Sequence, residues 1–275
     1  MPNINIQRTA EVMLSERIVI LAAADLGVSS DGWWQMKKIT HYILVVLFLT
    51  FASAAHSCSP AIKAALIDFS DFHKAGNNVY FGSDLSETEQ RDMQTLLDTA
   101  KDRITKTFGE PIAKPTIIVT SSEKTAGEYG IHDVPAKFFF APWGNYLIIN
   151  QNHLDIDVIA HELVHAEIAE RLGYTARYWR FSTWLDEGAA LQVDYRSHYM
   201  FDCASFDKSE IRRVKELDSP SRFWSADKDQ NIKNYQAAKA AVCELFKQVP
   251  HSSLYGYLER IRQGENFHDV FGIKN

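Results

Sequence analysis

Residues 155–172, DIDVIAHELVHAEIAERL, constrain this chain more than any other stretch. Val158, Ile159, Leu163, Val164 and Ile168 leave little polar surface, so a helix here has to be largely buried. Gly173 marks its predicted end. Yet the same helix carries His161 and His165, with Glu162 directly after the first histidine. On an α-helix, positions i and i+4 share a face one turn apart, so both imidazoles reach one point in space. Buried without partners they would be costly, and a metal ion would satisfy them. Glu162 is rotated by about 100° from His161, which makes it a poor ligand but a good neighbour. From there it can take a proton from water beside a metal. The competing reading is a helix with two hydrogen-bonded histidines and no ion at all.

A catalytic zinc needs a third protein ligand and an open fourth position. The next helical pattern, predicted over residues 182–196, contains WLDEGAA and offers Glu187. Upstream, the pattern is different in kind. NVYFGSD (78–84) and PTIIVTSS (115–122) read as strands, and KFFFAPWGNYLIIN (137–150) reads as two strands folded about Pro142, Trp143 and Gly144. Between the first two lies a long amphipathic helix, opened by a Ser86/Glu89 capping box and stopped at Gly109. Beyond Glu187 the chain is helical throughout, in DKSEIRRVKEL, NYQAAKAAVCELFKQV and SSLYGYLERIRQG. Strands in one half and helices in the other define an α+β class.

With 275 residues, 46% hydrophobic and 23% charged, the chain is long enough for a substantial core. Its net charge of −6 and lack of a Lys/Arg block argue against a nucleic-acid partner. Residues 36–55, MKKITHYILVVLFLTFASAA, have the parts of an export signal: a dilysine start, a short apolar core and a small-residue end. The apolar run falls short of the roughly 20 residues a bilayer span takes, so no stable membrane span is expected in the mature form. Met36 is then the expected natural start, residues 1–35 a disordered upstream extension, and residues 56–275 the exported domain, periplasmic or secreted. AAHSC fits a lipid-attachment site at Cys58 poorly because of His56. Cys203 and Cys243 both fall in the exported domain, where an oxidising compartment would allow them to pair.

The combination of His161-Glu-x-x-His165 with a downstream Trp-Leu-x-Glu-Gly-x-Ala stretch resembles the gluzincin metallopeptidases, the thermolysin-like group with peptidase-MA-like members. The resemblance spans roughly residues 79–272, with specific motifs at 161–165 and 184–190. It implies a zincin-like fold in which a small sheet packs an edge strand on the active-site helix. It implies one catalytic Zn²⁺ held by His161, His165 and Glu187, with Glu162 as general base in hydrolysis of a peptide or protein substrate. By the same resemblance GNYLIIN (144–150) is the strand that receives substrate backbone and Tyr235 is the oxyanion donor, its rival reading being a packed structural tyrosine; Tyr195 and His198 are the fallback candidates. The 21 positions between His165 and Glu187 (166–186) make a longer gap than in thermolysin, accommodated by a loop GYTARYWRFST. Thermolysin's aspartate one turn after the glutamate ligand is replaced by Leu191, leaving Asp194 to orient a histidine; Asp186 is expected to point elsewhere.

Two other classes compete with a peptidase. One is a zincin-shaped module that keeps the metal and captures peptides or envelope components without cutting them. The other is a metal-free structural domain with a chance motif. The chain has no phosphate-binding glycine loop and no serine-nucleophile elbow.

Overall fold

The chain divides into two units, Met1–Cys58 and Ser59–Asn275. A computed structural model describes residues 60–76, 78–132, 134–247 and 250–272, all in the second unit. The extension 1–35, the export signal 36–55 and Cys58 therefore lie outside the described residues.

Five strands form one mixed sheet: β1 (His73–Lys74), β2 (Val79–Phe81), β3 (Thr116–Thr120), β4 (Ala136–Ala141) and β5 (Gly144–Asn150), in the order β1-β2-β3-β5-β4. The pairs β2–β3 and β3–β5 are parallel; β1–β2 and β4–β5 are antiparallel. TIIVT and YLII are continuous apolar runs because the parallel centre of the sheet is covered on both faces. The alternation then sorts side chains. Val79, Phe81, Ile117, Val119, Leu147 and Ile149 face the main core, while Tyr80, Ile118, Tyr146 and Ile148 face a smaller cluster with Ala64, Ile67, Tyr129 and Ile131. Residues 60–65 are helical and contribute to that second cover.

On the main-core side lie α1 (Glu87–Phe108) and α3 (Ile156–Arg180). The short α2 (Glu123–Glu128) follows β3. The Ser86 hydroxyl accepts from Glu89 N–H while the Glu89 carboxylate accepts from Ser86 N–H, closing the capping box that the sequence predicts. Helices α4 (Thr183–Ala190), α5 (Lys208–Lys215), α6 (Pro220–Phe223), α7 (Lys228–Leu245), α8 (Ser253–Arg262) and α9 (Phe267–Phe271) complete the helical C-terminal half. The α+β expectation holds at this level: a mixed sheet first, then helices. Among the described residues no helix is long and apolar enough to cross a membrane.

Four local expectations need correction. GNYLIIN is not an edge: β5 sits between β3 and β4, and among the described residues the edge strands are β1 and, on the side next to β5, β4. A hairpin's second strand reads as terminal in sequence, but here it pairs a strand formed much earlier. The strand expected over 78–84 is shorter, Val79–Phe81. The 173–183 loop is helical up to Arg180; Gly173, at φ 73° and ψ 166°, is non-helical and ends the first helix of α3 where the sequence places its stop, but a second helical stretch follows directly. The helix expected over 182–196 stops at Ala190, so Asp194 stands in the irregular segment beyond it.

Cys203 and Cys243 form a disulfide with Cα atoms 6.3 Å apart, joining the segment after α4 to α7.

Candidate metal centre

Asp155 starts α3 by accepting hydrogen bonds from the N–H groups of Asp157 and Val158. The helix then passes under the sheet with Val158, Ile159, Leu163, Val164 and Ile168 in the core. This burial takes the two histidines with it: His161 is 5% exposed and His165 6%. Glu187, also 5% exposed, arrives from α4. Its placement depends on Gly188, where a Cβ would lie 2.4 Å from the Ala238 carbonyl oxygen and 2.7 Å from Val242. The glycine lets α4 press directly on α7, and that contact fixes the depth at which Glu187 enters.

Donor atoms of His161, His165 and Glu187 all lie within 4.8 Å of one another. Glu187 Oε2 is 3.3 Å from His161 Nε2 and 3.5 Å from His165 Nε2. Bonds of about 2.0–2.1 Å at tetrahedral angles place donors roughly 3.4 Å apart, so the two separations from Glu187 suit a small tetrahedral ion. Both imidazoles turn Nε2 inward and Nδ1 outward to a carboxylate. His165 Nδ1 meets Asp186 Oδ1 at 2.7 Å, and His161 Nδ1 lies 3.4 Å from Asp194 Oδ2, an ion-pair distance without an aligned hydrogen bond. Such outward carboxylates fix ring orientation and raise the basicity of the donor nitrogen. The triad can hold a metal ion.

The electrostatics agree. Burial opposes protonation of His161, but Asp194 and Glu187 outweigh it and raise its pKa. His165 is likewise opposed by burial and raised well above its ordinary value by Asp186 and Glu187. Burial pushes the Glu187 carboxyl up, yet the two imidazoles hold it well below the usual carboxylate range. Three buried groups thus depend on one another for charge, the situation a cation resolves.

The outer carboxylates are themselves held. Asp194, fully buried, is gripped by Arg196, and its backbone carbonyl accepts from the buried Lys239 ammonium at 3.3 Å. Asp186 pairs with Arg177, whose Nη2 is 2.6 Å from Oδ2 and whose Nη1 is 3.2 Å from Oδ1. The expectation for Asp194 is met in position, though from irregular chain rather than from the helix. The expectation for Asp186 fails: it faces His165. α4 crosses α3, so the residue beside the glutamate ligand reaches the second histidine, a relation that helical spacing within α4 alone does not reveal.

Glu162 is half-buried, and its Oε2 accepts the Phe138 N–H of β4 at 2.7 Å. Pro135 O accepts from Asn150 N–H, so alternate β4 residues turn their peptide groups to β5, while Ala136, Phe138 and Phe140 turn theirs to the free edge. Glu162 therefore touches the open edge of the sheet beside the histidines.

Tyr235 stands on α7 with its ring centroid 6.5 Å from that of His161. Burial, then the nearby Glu187 carboxylate, push its phenol well above the ordinary value, so it stays protonated. Its oxygen accepts from Trp224 Nε1 at 3.0 Å, which leaves its own O–H free to donate. Tyr199 was not singled out by sequence reasoning; its ring packs 5.9 Å from Tyr235, and burial pushes its phenol up to about 12. The substitutes sit differently: the Tyr195 ring lies half-exposed under Arg103, and the His198 ring packs on Tyr199.

One other buried ion pair lies on α3. Glu167 accepts from the N–H groups of Ile112 and Ala113 and from Arg171, which also stacks on Tyr255. The carboxylate and the guanidinium are both partnered within the protein, so the pair reads as an anchor for the loop before β3.

No protein-family model matches this chain, and no curated protein matches it.

Proposed function

We propose that this chain is an exported zinc-dependent metallopeptidase of zincin-like fold. The observation that carries the reading is the convergence of two buried imidazoles and a buried carboxylate from adjoining helices, with the unliganded Glu162 beside them at a free strand edge. A His₂Glu donor set leaving one side open suits catalytic zinc. Zinc bound there would supply Lewis acidity, polarising a carbonyl and lowering the pKa of water.

The chain's own residues supply the rest. Apart from the Phe138 N–H, which Glu162 occupies, the outward peptide groups of β4 would pair an extended peptide as an added strand along the edge beside the histidines. Glu162 takes the water proton and delivers it to the leaving amine. Tyr235 donates its free O–H to the oxygen on which charge develops. Asp186 keeps His165 in the tautomer that offers Nε2 inward, and the Asp194 charge 3.4 Å from Nδ1 of His161 favours the same orientation there.

The test is a zinc assay paired with peptide-library hydrolysis. Wild-type protein is expected to carry about one equivalent of zinc and to cut peptides in a chelator-sensitive way, and Glu162→Gln to keep the metal but not the activity. Full zinc with no cleavage of any library member would favour the peptide-capturing module instead. Far less than one equivalent of zinc would leave the metal-free domain.

A further inference from the structure

Arg177 lies between the two motifs, in a stretch that sequence reasoning treats as a connecting loop. The break at Gly173 reorients the last two turns of α3, and Arg177 is carried on them. Its side chain is only 9% exposed. On one side it holds both oxygens of Asp186, at 2.6 and 3.2 Å, and lies 3.4 Å from the His165 backbone carbonyl. On the other its guanidinium covers the rings of Phe138 and Phe140, 5.6 and 4.9 Å from their centroids. Phe138 is also the residue whose N–H holds Glu162.

We infer that Arg177 is a positioning residue that ties the metal ligand His165, through Asp186, to the free-edge strand β4. The inference rests on the metal reading above and extends it to a residue outside both motifs. A planar guanidinium suits this place: it grips a carboxylate with two parallel bonds while its faces lie on aromatic rings. A lysine would supply the charge without the fork or the flat face. Without Arg177, Asp186 would keep its bond to His165 but lose what orients it, and the imidazole would no longer be held at one angle to Glu187.

Zinc affinity, read by competition with a chromogenic chelator, tests this on wild type, Arg177→Met, Arg177→Lys, Asp186→Asn and the double variant Arg177→Met/Asp186→Asn. Arg177→Met and Asp186→Asn are each expected to lose about 10–100-fold in affinity. The double variant is expected to lose no more than the weaker single variant, because both act along one path. Arg177→Lys is expected to recover only part of the loss. A merely structural arginine would lower the melting temperature without this non-additivity. Unchanged affinity in Arg177→Met beside a loss in Asp186→Asn overturns the inference alone, as do losses that multiply in the double variant. If Arg177→Met does not fold, the same cycle with Arg177→Lys decides by the same criteria. A wild-type protein that binds no zinc overturns the metal reading itself, and this inference with it.

Discussion

Helix α1 runs 22 residues and α3 25, the latter across the break at Gly173, and both bury a side against the same face of the sheet. Their buried sides differ in kind. α1 buries Met93, Leu97, Ala100, Ile104 and Phe108, an apolar stripe at helical spacing with charged residues outside. α3 buries His161, His165, Glu167 and Arg171 among its apolar residues. The first arrangement is sufficient for folding. The second carries desolvation costs that folding does not require, and each polar group is met by a partner brought from elsewhere in the chain. Buried polarity, rather than periodicity, separates the helix that only supports the sheet from the helix that carries the candidate site.

Glu162→Gln offers the largest test of this contrast. It is expected to lower turnover by about 10²–10⁴-fold with zinc content unchanged; equal turnover on a responsive peptide would remove Glu162 from the chemistry. His165→Ala should abolish stoichiometric zinc binding, seen by elemental analysis, while circular dichroism stays that of a folded protein. Leu97→Ala in α1 is expected to do the reverse. It should cost about 2–5 kcal/mol in denaturant unfolding and leave zinc affinity alone. A shift in affinity there would blur the division between the two helices. Gly188→Ala is expected to fall between, costing about 1–3 kcal/mol by overpacking α4 on α7, with some loss of zinc affinity because Glu187 moves with its helix. Smallest should be Ser86→Ala, about 1 kcal/mol from the lost cap and no effect on metal.

Much of α1 was legible because its signals are local. Ser86 and Glu89 are three residues apart, and its apolar stripe needs no knowledge of what it covers. His161 and His165 were legible for the same reason, since one helix sets their spacing. The hairpin around Pro142–Gly144 was legible from turn chemistry, but not the place of its strands in the sheet. Which strand lies at the edge depends on β5 pairing with β3, across an intervening α2. Asp186 is illegible in sequence for a related reason: its partner His165 is set by how α4 packs on α3. Arg177 offered no signal at all, because a Tyr- and Trp-rich run containing arginines looks like surface until its contacts are known.

The residue order alone determined the elements and the chemistry they carry: an apolar helix with two histidines and a carboxylate, a second helix with a glutamate and a glycine, strands before helices. Those follow from interactions a few positions long, which every chain with this sequence makes. Only the tertiary structure decided that the glutamate enters between the imidazoles, that Asp186 and Asp194 stand behind them, and that β4 presents the open edge. Those relations join residues tens of positions apart, and their energies come from packing and desolvation that exist only once the whole domain has closed.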